Sequence, residues 1–556
     1  MSDAPMPAKQ PVSLEFLPKL ITVLREGYTV KRFVADFIAG LTVAIVALPL
    51  SMGIAIASGS TPDKGLYTAI VAGFLISALG GSRFQIGGPT AAFIVIVYRI
   101  IERHGYDGLA LATLIAGFLI LIAGALRLGT FIKYVPYPVT IGFSAGIGVS
   151  IFVGQIADLL GLSTGKLPGD FVPKITAIAH ALPSFTPSAA ALAAISIATI
   201  LGLKAWRPKV PGMLVAVVVT SLLVVMFHFS VVTIGSKFGA MPSGLPWPQL
   251  PDVSWARLIE VAPDAATIAL LAGIESLLSA VVADGLTGSR HRSNGELIAQ
   301  GIANIASPLF GGLPATGALA RTATNIRAGS TGPVSGMLHA VFLLAFVMVA
   351  AQLMVYVPLA TLAAILTVVA WNMSEVHVVV RLIRNCDWGD RIVLLGTFGL
   401  TVFFDLTVGI LFGVIVSAFL FMHKMAQSVT YDTGAGADNI EEDQLITAAT
   451  AGGDVAIFRI SGPFFFGAAN ELATTLSKIG GRQPKRLIID FSGVPLIDAT
   501  GAAVLKGIVT AAGKQATDVV LTAMSRPVMR TLVSHGVTHS SGHVSSAPSI
   551  IEALKR

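Results

Sequence analysis

Two short stretches rich in glycine and proline interrupt the apolar sequence of this chain. The first reads GGPTAAF at residues 87–93, and the second reads GGLPATGALAR at residues 311–321. In each, a proline precedes a run that is able to start a helix, where its missing N–H is tolerated. Two helices that begin there would direct their free N–H groups, and roughly half a positive charge each, toward one point. Together the two stretches predict an anion-binding site.

Glycine and proline also occur in spanning helices that are merely kinked, because such helices are richer in both than soluble ones. Two breaks at corresponding positions favour an anion-binding site over simple kinks.

Arg321 ends the second stretch, seven residues after Pro314. A charged residue at the centre of a spanning helix costs about 2.5–3.5 kcal/mol, so we expect Arg321 to attract an anion. The alternative is a side chain that reaches the membrane boundary, as that of Arg327 could.

Glu275 is the second ionisable residue in an apolar setting, with no other between Asp264 and Asp284. Such a carboxyl group could take up and release a proton near neutral pH. Ser279 lies one turn further on the same helix face and could instead help the carboxylate to ligate Na⁺. We expect a role in ion coupling or gating. The alternative is a permanent brace against a helix N-terminus.

The composition places these residues in a membrane protein. Of the 556 residues, 54% are hydrophobic and 12% are charged, against about 25% charged in soluble proteins. Runs such as 109–129 and 335–354 are long enough to cross roughly 30 Å of hydrocarbon. No cleavable signal peptide is visible, and the single Cys386 excludes an intramolecular disulfide. The net charge of +7 is spread over loops, which indicates topology and not nucleic-acid binding.

The apolar segments number fourteen, in two groups of seven. They span residues 34–58, 66–80, 89–101, 109–129, 138–160, 187–203, 211–229, 263–284, 295–310, 314–326, 333–355, 357–373, 390–405 and 407–425. Two repeats of seven are inverted relative to each other, an architecture typical of secondary transporters. If the N-terminus is cytoplasmic, the loops after even-numbered segments hold most of the basic residues, as the positive-inside rule requires.

A soluble α/β domain is predicted after a polar linker at 431–444. Its expected strands are 455–461, 486–492 and 518–524, and its expected helices are 468–480, 501–513 and 526–535. Alternation of this kind is typical of an α/β sandwich.

Other kinds of chemistry lack their motifs. The sequence has no Walker A motif, no G-x-S-x-G elbow and no histidines at metal-ligand spacing. We therefore expect neither an ATP-driven pump nor an enzyme, no catalytic residues, no cofactor and no metal site, but a secondary carrier.

Several stretches resemble the sulfate permease family, also called SulP or SLC26. They are PDKGLYTAIVAGFLISALGGSR (62–83), QIGGPTAAF (85–93), AGIESLLSAVVADG (272–285), GGLPATGALARTATNIRAG (311–329) and VAWNMSE (369–375). DFSGVPLIDATGAAVL (490–505) resembles a STAS domain. Within the family the chain looks most similar to the bacterial group that includes the proton-coupled C4-dicarboxylate transporter.

The resemblance implies a homodimer whose subunits have a core and a gate domain and move by an elevator-like mechanism. It implies an anion site between the N-termini of segments 3 and 10, and an acid in segment 8 that is linked to H⁺ or Na⁺. The matching substrate-site residues are Leu50, Ile54, Thr90, Ala91, Ala318, Ala320 and Arg321, and the matching acid is Glu275. Because Ala318 and Ala320 lack hydroxyls, we expect their contact with the anion to be through backbone N–H groups. In the STAS domain, Ala499 replaces a usual serine, and Thr500 has two alternative roles, at the start of a helix or as a site of phosphorylation.

These observations predict an α-helical polytopic protein with four parts. They are a cytoplasmic N-terminal segment (1–33), a transporter domain of fourteen segments in a 7+7 inverted repeat (34–428), a linker (429–452) and a cytoplasmic STAS domain (453–556). We expect H⁺-coupled symport of C4-dicarboxylates such as succinate, fumarate and aspartate across the bacterial inner membrane. Alternatives are sulfate transport, Na⁺-coupled bicarbonate transport, or an anion sensor or channel that signals through the STAS domain. The expected partners are the small anion, the coupling ion, the lipid bilayer, a second subunit and a protein at the STAS domain, but no nucleic acid.

Overall fold

The computed structural model describes residues 15–130, 135–207, 210–404, 406–427, 430–432, 450, 454–465, 484–537 and 543–555. The chain forms two compact units, Met1–Val414 and Ile415–Arg556.

The first unit is built almost entirely from helices. In chain order the helices are α1 Lys19–Arg25, α2 Val30–Ala57, α3 Pro62–Leu79, α4 Ile94–Ala125, α5 Tyr137–Leu160, α6 Phe171–Ala181, α7 Pro187–Trp206, α8 Gly212–Phe227, α9 Ile234–Phe238, α10 Trp255–Thr287, α11 Ser293–Leu309, α12 Leu319–Arg327, α13 Val334–Met354, α14 Leu359–Met373, α15 Val376–Asn385, α16 Trp388–Phe403 and α17 Leu406–Gln427. The last of them, α17, continues into the second unit. Two strands of two residues each, β1 Gly87–Gly88 and β2 Thr316–Gly317, complete the unit.

Each of the fourteen predicted segments coincides with a helix or with part of one. Segments 3 and 4 both fall in α4, which is divided at Gly105, where a φ of 69° interrupts the helical backbone. Within the described residues, eight helices are long and apolar enough to cross a membrane on their own. The predicted fold class, a polytopic helical membrane protein with a C-terminal α/β domain, is confirmed. The short helices α1, α6, α9 and α15 lie outside the predicted segments.

The helices of the first unit pack in two groups. In the core group, α2, α3, α4, α10, α11, α12 and α13 contact one another; in the gate group, α5, α7, α8, α14 and α16 do so. Glycine allows a close crossing in the core group between α4 and α11. A Cβ on Gly117 or on Gly301 would lie 2.8 Å from the backbone oxygen of the other residue. Such small-residue contacts are how membrane helices approach closely without a hydrophobic driving force.

The second unit contains a sheet of five strands. They are β3 Thr430–Asp432, β4 Val455–Ser461, β5 Arg486–Gly493, β6 Asp518–Thr522 and β7 Val544–Ala547, hydrogen-bonded in that order. The pair β3–β4 is antiparallel and the others are parallel. Among the described residues, three helices follow the strands: α18 Ala499–Lys514, α19 Arg526–Ser534 and α20 Ile550–Lys555. The predicted helix at 468–480 lies outside the described residues.

One boundary in this unit differs from the sequence prediction. Residues 431 and 432 were expected to begin a polar linker, but they belong to β3, in which Tyr431 pairs with Ile460 of β4. The strand is short and lies at the edge of the sheet, so it lacks the long apolar run by which a buried strand is recognised. The strand β7 and the helix α20 were not predicted either.

The start of α18 is capped by Asp498 and not by Thr500. The Asp498 carboxylate accepts a 2.7 Å hydrogen bond from the N–H of Gly501, and the side chain of Thr500 is exposed. Replacing Asp498 with alanine is expected to destabilise the first turn by about 1 kcal/mol. Amide hydrogen exchange of the full-length protein would show it as faster exchange at Gly501, whereas Thr500→Ala should leave that exchange unchanged. Equal exchange in the two variants would refute the cap.

Candidate anion site

The two glycine- and proline-rich stretches meet in the structure. β1 and β2 form an antiparallel ladder in which Gly87 lies opposite Gly317 and Gly88 opposite Thr316. One further hydrogen bond extends the ladder, from the N–H of Ala318 to the carbonyl of Ile86 at 2.8 Å. The two breaks satisfy part of each other's backbone, which irregular segments inside a membrane require.

A helix begins directly after each strand. A 3₁₀ turn at Ala91–Phe93 leads into α4, and Leu319 starts α12. Neither start has a side-chain cap among the described residues, so the N–H groups of Ala91, Ala92, Leu319 and Ala320 remain open to a ligand. The N–H of Ala318 is an exception, because it is already bonded to Ile86. The N–H of Ala318 is therefore not free to contact an anion in the way that the sequence predicted, whereas that of Ala320 is available.

Arg321 is buried between these two helix starts, with only 2% of its surface exposed. Its Nη2 donates to the hydroxyl of Ser51 and to the carbonyl of Pro89, both at 3.1 Å. Nε and Nη1 are also buried, and neither has a hydrogen-bond partner among the residues that the structure describes. Because burying an unpaired charge is costly, a guanidinium with two buried donors that no described residue accepts is suited to bind an anion.

The hydroxyl of Thr90 adds a third unsatisfied group to the site. Its oxygen is buried and has no hydrogen-bond partner in the described part of the chain. Unpaired buried polar atoms of this kind require a ligand or water to complete them.

The other predicted site residues differ in exposure. Leu50, Ile54 and Ala91 are buried, whereas Ala320 is exposed. Gly88 lies against the guanidinium, since a Cβ at this position would be 2.5 Å from Nη1 of Arg321. Its φ of +146° also lies in a region that L side chains rarely adopt. The close approach of strand and arginine thus depends on this glycine.

Glu275 and Ser279 occupy different surroundings on α10. Glu275 is half-buried, and its carboxyl group makes no hydrogen bond or ion pair with any residue that the structure describes. Ser279 is buried and donates to Thr322 Oγ1 at 3.3 Å. Thr322 in turn accepts from the N–H of Ile86 at 3.1 Å. The structure therefore joins Ser279 to α12 and not to the Glu275 carboxylate.

Ser276, which the sequence reasoning missed, fastens α10 to β2. Its hydroxyl lies 2.6 Å from that of Thr316 and accepts from the N–H of Gly317 at 3.2 Å. Ser51, the partner of Arg321, was missed as well. Both are small polar residues in long apolar runs, and they are adjacent in sequence to the predicted site residues Glu275 and Leu50. That setting is a signal that could have identified them.

The sequence matches the Sulfate permease family over residues 33–397 and the STAS domain over residues 447–548. One relative is a putative sulfate transporter, YvdB of Bacillus subtilis, 42% identical over 87% of this chain and 90% of its own. Another is the bicarbonate transporter BicA of a Picosynechococcus species, 31% identical over 85% of this chain and 86% of its own.

Two solved structures resemble the fold. The murine anion transporter Slc26a9 in its inward-facing state has a TM-score of 0.85 at 18% identity, over 100% of this chain and 96% of that one. The transmembrane domain of a cyanobacterial BicA has a TM-score of 0.61 at 30% identity, over 70% of this chain and 98% of that one.

Proposed function

The chain belongs to the sulfate permease family of anion transporters, and we propose that it is a secondary active carrier whose substrate binds at Arg321. The observation that carries this proposal is the pair of buried guanidinium nitrogens without partners. An oxyanion placed between the two helix starts would accept from these nitrogens and from the open N–H groups. Charge-assisted hydrogen bonds of this type are roughly twice as strong as neutral ones.

We propose a small oxyanion as the substrate. Backbone N–H groups and one guanidinium recognise charge and oxygen atoms more than overall shape. The relatives are named as sulfate and bicarbonate transporters, which favours these two anions over the C4-dicarboxylates expected from the sequence. Competition of sulfate, bicarbonate, succinate, fumarate and aspartate with one labelled anion in proteoliposomes would rank them. Competition by the dicarboxylates alone would restore the original expectation.

Glu275 is the proposed coupling residue. Its carboxyl group has no partner in the described residues, and the adjacent Ser276 is bonded to the β1–β2 ladder through Thr316. Ser276 and Thr316 thus connect Glu275 to the anion site, and a change in the charge of Glu275 can reach the site through them. We infer that this carboxyl group takes up a proton when the anion is carried, with Na⁺ binding as the alternative.

The substitution Glu275→Gln is expected to abolish the stimulation of uptake by an inward H⁺ gradient, because an amide cannot exchange the proton. Uptake would be measured in proteoliposomes at several external pH values, with choline replacing Na⁺ in a parallel series. Glu260→Gln, on the same helix but exposed, is the control. Full pH dependence in the Glu275 variant would remove the carboxyl group from coupling, and loss of uptake in choline would indicate Na⁺.

The arrangement of helices supports an elevator-like movement. Ser51 on α2, Arg321 on α12 and Glu275 on α10 all belong to the core group, so the site can travel as one body against the gate group. We propose that residues 34–428 form the transporter domain and 453–556 the STAS domain, and that β3, which lies within the stretch 429–452 expected as a linker, joins the sheet of the STAS domain. Residues 1–33 and the STAS domain would then lie in the cytoplasm of a bacterial inner-membrane homodimer.

A further inference from the structure

A second cluster of positive charge is formed by residues that do not belong to the anion site. A cavity of about 320 Å³ opens between α1, the loop after α3 and the loop that joins α10 to α11. Lys19, Arg83 and Arg290 line it, together with Phe84 and Ser289. No acidic residue is among those that line it.

The acids near this cavity are already engaged. Asp284 accepts from Ser289 Oγ at 3.0 Å and lies 2.7 Å from Nδ1 of His291, and Glu26 is paired with Arg83. By contrast, neither the ammonium group of Lys19 nor the guanidinium of Arg290 has a hydrogen-bond or ion-pair partner within the described ranges. Burial and the nearby Arg292 and Arg83 lower the pKa of Lys19. The cavity thus holds surplus positive charge that an anion would neutralise.

The cavity lies at the edge of the apolar surface of the first unit. Val282 and Leu286, on the last turns of α10 before the lining residue Thr287, are exposed. Leu24 of α1 and Val30 at the start of α2 are exposed as well. Exposed apolar side chains beside a basic cavity match a phospholipid, whose acyl chains lie beside the helices and whose charged headgroup lies at their ends.

We propose that this cavity binds the phosphate group of an anionic phospholipid. Lys19 and Arg290 would pair with the phosphate oxygens, and the acyl chains would lie along Val282 and Leu286. The bound lipid would also stabilise the anion site, because the lining residue Phe84 contacts the elements that form it. The carbonyl of Phe84 accepts a 2.9 Å hydrogen bond from Asn325 Nδ2 of α12, and Phe84 lies three residues before β1.

The test uses the full-length protein in neutral detergent, titrated with short-chain phosphatidylglycerol and followed by native mass spectrometry. The double variant Lys19→Gln/Arg290→Gln is expected to bind this lipid roughly 30-fold more weakly than the wild type, because each basic residue near a membrane surface contributes about a fivefold factor. Arg381→Gln/Arg384→Gln removes the same charge from the exposed side chains of α15 and should bind as the wild type does. The unfolding midpoint without lipid verifies that both variants are folded. If the double variant is not, Arg290→Gln alone, at an exposed position, replaces it.

Three results would overturn the proposal. If both double variants bind phosphatidylglycerol equally weakly, the lipid is attracted by the net charge of the protein and not by a specific site. Binding of phosphatidylcholine as tight as that of phosphatidylglycerol would exclude recognition of the charged headgroup. Inorganic phosphate or pyrophosphate is the third probe. If either binds the wild type as tightly as the lipid does, and does not bind the Lys19/Arg290 variant, the cavity is a site for a soluble phosphate.

Discussion

Replacing Arg321 with methionine is expected to lower anion uptake roughly 100-fold or more, and to leave the protein as stable as the wild type or more stable. Each hydrogen bond to a charged group contributes about 1.5–3 kcal/mol, and the substitution removes at least the two that Nε and Nη1 would make to an anion. The effect on stability has the opposite sign because Arg321 is a buried cation with two donors that have no partner among the described residues. An apolar side chain of similar length relieves that penalty.

Uptake by proteoliposomes and the unfolding midpoint would be measured on the same preparations. Arg327→Met is the matched control, since Arg327 lies on the same helix and is exposed. Arg321→Lys should retain part of the uptake, because it keeps the charge but loses the planar fork of donors. Uptake near the wild-type rate in Arg321→Met would exclude Arg321 from the site. A large fall in its unfolding midpoint would indicate a structural role instead.

Gly88→Ala is expected to reduce uptake by a comparable factor, this time with a loss of stability. The new methyl group would lie 2.5 Å from Nη1 of Arg321, on a backbone whose φ is +146°. The guanidinium must therefore move away from Ser51 and Pro89, and a misplacement of about 1 Å at a functional centre can reduce a rate roughly 100-fold. Backbone strain of this kind destabilises by about 1–3 kcal/mol.

Gly285→Ala provides the matched control for this substitution. Gly285 lies in α10, and a Cβ there would have no atom within 4 Å, so neither uptake nor stability should fall. The double variant Gly88→Ala/Arg321→Met should regain part of the stability lost in Gly88→Ala, because the clashing group is gone. Additive losses in the double variant would mean that the methyl group and the guanidinium do not collide.

The halves of the anion site could be recognised from the sequence because their signals are local. Glycine, proline and arginine are conspicuous in an apolar run, whatever the rest of the chain does. The partners of these residues could not be recognised in this way. Ser51 and Arg321 are 270 positions apart, and only the packing of α2 against α12 brings them together. For the same reason, the position of Ser279 one turn after Glu275 did not reveal that its hydroxyl bonds to Thr322.

The strands of the second unit show the same limit. β4, β5 and β6 lie inside the sheet, where strands covered on both faces are continuous apolar runs, and their positions agree with the prediction. β3 and β7 are the two edges of the sheet. Edge strands are short and polar in soluble proteins, and β7 reads VSSA, which hydrophobic periodicity cannot distinguish from a loop.

The pairing of Gly87 with Gly317 joins two residues that the ribosome adds 230 positions apart. At a synthesis rate of about 5–20 residues per second, β2 is synthesised roughly ten to fifty seconds after β1. During that interval the backbone groups of Gly87 and Gly88 lack their ladder partners, and unsatisfied backbone groups are costly in a bilayer. The first half of the membrane unit is thus an incomplete structure while the second half is being made.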